Sequence, residues 1–206
     1  LTLALNDLSK ERIDSAAIFK QQFVKDQVEH CEYNDKLILP VIVNETVTQK
    51  VYRKEPKSEK SIILGENKGG VNQLIETGDI LDVIMKDVFT DVDIYDDQIR
   101  LLQYPFTSPI GKDAINFYRY YIEDTVYVDK DLCYHMQFIP NNQQDFGFRG
   151  EMYIIADTAL HVKKLSMTIP KRSDVNFVEN LRIDQEYTLE PSGDWVLTQD
   201  DMIVEL

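Results

Sequence analysis

The residues best suited to chemistry in this 206-residue chain are its two cysteines and three histidines. Cys133 and His135 stand two apart in "LCYHMQF", His30 and Cys31 are adjacent, and His161 lies further along. A thiolate beside an imidazole could suggest zinc. Structural zinc sites, however, are assembled from paired C-x-x-C or H-x-x-x-H knuckles, and C-x-H on a strand is not such a pair. Residues two apart on a strand share a face. The expectation is therefore half-exposed sheet residues, no metal site and no cofactor. Cys31 and Cys133 permit one disulfide without demanding it.

Other reactive patterns fare no better. Asp87, Asp91, Asp93, Asp96 and Asp97 form an acidic run. A calcium loop of the EF-hand type needs Gly at its sixth position and Glu at its twelfth. Counting from Asp91 those positions are Asp96 and Leu102, so a solvated acidic loop is expected. Ser108 in "TSPIG" lies in a Pro/Gly turn, where a serine usually caps or turns the backbone. G-x-S-x-G, H-E-x-x-H, Walker A and G-x-G-x-x-G are all absent. No catalytic residue is expected.

The elements that would position these groups differ between the two parts of the chain. Residues 1–8 read as a strand, and Lys10–Glu29 carries an apolar stripe at helical spacing. "VTQKVYR" and "SIILG" look like two strands around the basic connection "KEPKSEK", and Pro40 argues against a central strand just before them. Val71–Val88 reads as a second helix. The stretch that follows, "FTDVDIYDDQIRLLQYPFTSPIGKD", has little period; so long a connection should be functional or packed against the domain. From residue 115 the chain alternates. Ile115–Val128, Leu132–Pro140, Arg149–Ala156, Leu160–Pro170, Phe177–Leu189 and Trp195–Leu206 are separated by turn residues, the mark of an antiparallel meander. This gives one domain over 1–206, with a helix-containing half (1–114) and a meander (115–206).

Each meander strand has one apolar side, so one face of the sheet is covered. Tyr118, Tyr120 and Ile122 share a side with Val126 and Val128 in the first strand. Tyr134, Met136 and Phe138 do so in the second, Leu165, Met167 and Ile169 in the fourth, and Phe177, Leu181, Ile183, Tyr187 and Leu189 in the fifth. A sheet this wide curls. The expected fold is α+β: a wide curved antiparallel sheet, an open half-barrel, with two or so helices on its concave face. An apolar ligand held there would touch Tyr118, Tyr120, Ile122, Met136, Phe138, Leu165, Met167, Leu181 and Ile183.

Twenty-two basic against 36 acidic side chains give a net charge of −14. That argues against nucleic-acid binding and against docking on anionic headgroups. No apolar run approaches the ~18 residues of a membrane helix. The chain begins with Leu1 inside an alternating pattern and reads as a piece of a longer protein, from which a targeting segment could have been removed.

The blocks "LPVIVNET", "DVDIYDDQIRLL", "TSPIGKDAINFYRYYIED", "CYHMQFIP", "FRGEMYIIADTALHVKKLSMTI", "VNFVENLRIDQEY" and "WVLTQDDMIVEL", in this order, resemble an uncharacterised Gram-negative outer-membrane family. Its members look like TonB-dependent receptors: a carboxypeptidase-regulatory-like sandwich, a soluble middle domain and a C-terminal β-barrel. The chain resembles the middle domain. The resemblance implies a location on the periplasmic side of the outer membrane, with the other domains of the same protein as partners. It carries over no catalytic residue. The meander with helices also resembles periplasmic lipoprotein carriers at the level of fold. The function expected is a non-catalytic module that binds or positions a partner or ligand near the barrel, without inserting in the membrane itself. The alternatives are acyl-chain binding in a half-barrel cavity and, third, a cryptic hydrolase.

Overall fold

A computed structural model describes residues 2–5, 8, 20–31, 35–53, 55–69, 91–101, 104–142, 145–169 and 180–205. The chain forms two compact units, Leu1–Leu81 and Asp82–Leu206. The divide falls well before the 114/115 boundary expected from periodicity, because the irregular stretch after residue 90 gives its apolar side chains to the meander.

In the first unit, β1 (Thr2–Leu5) and β2 (Glu29–His30) flank β3 (Leu37–Arg53), which pairs with β4 (Ser58–Gly69) in a long hairpin. The expected hairpin around "KEPKSEK" is present, and β3 runs for 17 residues straight through Pro40. Proline is tolerated there because Ala4 faces it at a register shift in β1, where the ladder is already interrupted. Of the expected first helix, the described part shows one turn, α1 (Gln22–Lys25). It ends before Glu29 because Glu29 and His30 pair with Ile38 and Leu37. Val24, Leu39 and Val41 are buried. The expected second helix, Val71–Val88, lies outside the described residues.

The second unit is mostly sheet. A small hairpin, β5 (Gln98–Leu101) and β6 (Tyr104–Thr107), precedes the turn α2 (Ala114–Phe117). Six strands then pair in sequence order: β7 (Tyr118–Val128), β8 (Asp131–Pro140), β9 (Arg149–Ile155), β10 (Val162–Ile169), β11 (Asn180–Leu189) and β12 (Trp195–Glu205). The meander is as expected, with ends moved by a few residues. The described part of the protein is thus mostly β, with short helices and a six-stranded antiparallel sheet that is not closed into a barrel.

Among the described residues, the cover on this sheet is the irregular segment itself rather than long helices. Val92, Ile94, Ile99, Leu101 and Phe106 pack with Phe138, Met152, Leu165, Met167, Leu181 and Ile183 in one buried cluster. Phe106 lies between Phe146 (4.7 Å, stacked) and Phe148 (5.0 Å). Polar bonds fasten this cap. The Ser108 hydroxyl donates to the Ile94 carbonyl, and the Ser108 amide donates to the Asp97 carbonyl. Buried Gln185 donates from Nε2 to the Val92 carbonyl (2.8 Å) and to Asp200 (3.0 Å), while its Oε1 accepts from the Tyr187 hydroxyl (3.0 Å).

Candidate functional site

The two sides of the sheet offer different chemistry. On the capped side the nine residues expected to contact a ligand are dispersed in burial. Tyr118, Phe138, Leu165, Met167, Leu181 and Ile183 are buried in the core, Tyr120 and Met136 are half-buried, and Ile122 is 68% exposed. The tyrosine hydroxyls are spoken for. Tyr118 donates to the Thr107 carbonyl (2.6 Å) and accepts from the Phe148 amide, and Tyr120 donates to the Pro109 carbonyl (2.7 Å). Burial pushes the Tyr118 hydroxyl far above its ordinary range and that of Tyr120 up to about 12. Both are structural donors at neutral pH.

The capped side does not stay dry along its length. Phe138, Met136, Tyr134 and Leu132 alternate onto one side of β8 and pass from fully buried at Phe138 to 40% exposed at Leu132. Ile122 and Tyr127 stand opposite Met136 and Leu132. A bulge between Ile122 and Asp124 resets the pleat. It sets Thr125 and Tyr127 against Tyr134 and Leu132, and it moves Val126, expected beside Tyr120, to the Cys133 side. Sequence alternation alone carries no mark of such a bulge.

On the other side stand Cys133 and His135, opposite Tyr134, Met136 and Phe138 as the alternation requires. Cys133 is not half-exposed. It is fully buried between its cross-strand neighbours Val126 and Ile155, and burial raises its pKa, so the thiol is unreactive. Cys31, in the other unit, is half-buried, and both cysteines are free thiols. His135 joins three strands. Its Nδ1 meets Asp124 of β7 (3.1 Å), its Nε2 meets Glu151 of β9 (2.9 Å), and its ring stacks on Tyr153 (4.6 Å between centroids). The two ring nitrogens point to opposite carboxylates, so these groups diverge and form no ligand set. Among the described residues no group of three or more His, Cys, Asp or Glu could hold a metal ion. His161 lies instead against Trp195, over which Lys163 also sits while pairing with Asp129 and Asp131.

The protonated imidazole is the form that can donate to both carboxylates. Burial of the ring opposes the charge, but the bonds to Glu151 and Asp124 outweigh it, and the pKa rises above 6.5. A raised folded-state pKa contributes stability that is full below the unfolded value and is lost as pH climbs through the folded one. The melting temperature is therefore expected to fall as pH rises from about 6.5, and a His135→Asn variant to lose this slope. Equal slopes in scans from about pH 5 to 8 would remove His135 from that role.

The acidic run is also structural in its described part. Asp93 accepts from the Tyr95 amide (2.9 Å), and Asp97 takes both the Lys112 amide (3.1 Å) and its ammonium (2.9 Å). Asp87 lies outside the described residues. Ser108 is buried and turns the backbone, as its Pro/Gly context suggests. Gln185 escaped the sequence reading, although its parity with Ile183 and Tyr187 placed a polar group on the core side of β11.

A family described as being of unknown function, DUF5686, matches residues 9–206. The chain belongs to that family. No curated protein and no solved structure matches it. DUF5686 membership covers both compact units, so the hairpin of the first and the capped sheet of the second are parts of one family pattern.

Proposed function

We propose that this DUF5686 chain is a non-catalytic periplasmic module of an outer-membrane β-barrel protein, binding or positioning a partner beside the barrel. The observation that carries the reading is the sheet's capped side. Its centre is filled by the chain's own Val92, Ile94, Leu101 and Phe106, while Ile122, Tyr127, Leu132 and Tyr134 remain at the surface beyond the cap. A filled centre with an apolar rim suits docking rather than enclosure. The location follows the ordered sequence blocks shared with the outer-membrane family. The finer architecture in this reading is an open half-barrel with helices on its concave side. Bulges in the β7, β10 and β12 ladders support the curvature, since each bends its strand.

The gradient along β8 favours one second reading, in which an acyl chain lies against Leu132 and Tyr134 and continues the core outward. Full-length protein lacking residues 1–206 is expected to assemble its barrel but to lose partner capture or uptake. Normal assembly with normal uptake would refute both readings. Lipid retained by the isolated chain in native mass spectrometry would select the second.

A further inference from the structure

The β3–β4 hairpin extends beyond the small core of its unit. Every described residue from Glu45 to Gly69 is exposed. A lone two-stranded ribbon is marginal in water, yet this one turns aliphatic side chains to solvent. Gln49 faces Ile62, Val51 faces Lys60 and Arg53 faces Ser58, so Val47, Val51 and Ile62 share one side with Lys60 and Arg53. The three aliphatic residues are 61%, 52% and 39% exposed. Glu45, the acidic group on that side, sits at the base and accepts from Asn67 (3.0 Å). Toward the tip the balance is basic: residues 50–60 hold five Lys or Arg against two Glu, a local charge of +3 in a chain of −14.

We propose that this side of the hairpin docks on a bilayer surface displaying anionic lipid headgroups. Three features choose lipid over a protein partner. Lysine is depleted from protein–protein interfaces, whereas long lysine stems lie over apolar surface and hold the charge in the headgroup layer. The ribbon side measures about 10 Å by 26 Å from strand spacing and rise, far below the ~800 Å² per partner of a stable protein interface. The aliphatic residues Val47, Val51 and Ile62 also stop short of the charged tip, which suits a ribbon lying flat with its basic end among phosphates. The net charge of −14 does not prevent this, because exposed charges act over about 8 Å at physiological salt and the tip is locally basic. The inference rests on the hairpin alone and does not depend on the module reading.

The test is co-sedimentation of the whole chain with vesicles of equal parts phosphatidylglycerol and phosphatidylcholine, against pure phosphatidylcholine. Binding to the anionic vesicles only is expected, weakening as salt rises. A combined Arg53→Glu, Lys57→Glu, Lys60→Glu variant is expected to bind about a hundredfold more weakly or worse, at roughly fivefold per basic residue. Val51→Ser with Ile62→Ser should weaken binding while the preference for anionic lipid remains. Because all these positions are exposed, circular dichroism and melting should match the parent. Absence of sedimentation, equal binding to both vesicles, or indifference to both variants would overturn the proposal. A dimer in analytical ultracentrifugation that both variants dissolve would overturn it in favour of a second copy.

Discussion

Gly150→Ala is expected to disrupt the second unit. Gly150 sits in β9 between Phe138 of β8 and Met167 of β10. A Cβ placed there would lie 2.0 Å from the Ser166 carbonyl oxygen, 2.8 Å from the Met167 Cα and 3.0 Å from the Phe138 ring. Two of the three obstacles are backbone of the neighbouring strand, which cannot rotate away. The Phe138 ring covers the glycine, as aromatic residues do beside glycines in strands. Overpacking costs ~1–3 kcal/mol where side chains can give way; here the ladder itself must part, so a loss of about 3 kcal/mol or more is expected. For a chain of this size that lowers the melting temperature by at least roughly 6 °C, and expression in inclusion bodies would be unsurprising. Gly65→Ala is the control, because a Cβ at Gly65 meets nothing within 4 Å. It should change stability by no more than about 0.5 kcal/mol. Equal melting of the two variants would contradict the β9–β10 register.

Phe106→Ala is expected to be the most costly truncation in the cap. Its ring is fully buried and touches Phe146 and Phe148, and removing such a ring costs about 3–5 kcal/mol in lost contact and cavity. A side chain on a mere connection would cost within about 0.5 kcal/mol. Urea unfolding separates these outcomes by their midpoints. A midpoint unchanged by Phe106→Ala would mean that the segment after residue 90 does not hold the sheet.

The meander was legible because six strands alternated cleanly between turn residues, and their apolar sides correctly predicted Phe138, Leu165, Met167, Leu181 and Ile183 as inward-facing. The cap was not. Its residues come from two four-residue strands and a serine-pinned turn, too short for any period to register. The expectation that a connection of that length packs against the domain was sound, whereas its assignment to the N-terminal half was not. The pairing of His135 with Asp124 and Glu151 was equally hidden, because it depends on a bulge and on cross-strand register. Cys133 shows the same limit from the other side. Alternation gave its face correctly, but not that Val126 would cross over to help bury it.

The Gln185–Val92 bond joins residues 93 positions apart. All the ladders of the six-stranded sheet join sequence neighbours, so each closes cheaply as the chain grows. The cap is different: it is synthesised first and completed last. At about 5–20 residues per second, Val92 waits roughly 5–20 s for Gln185 of β11 to emerge. During that interval the cap can already lie on Phe138, Met152, Leu165 and Met167, so Leu181 and Ile183 complete a core that the earlier strands have begun.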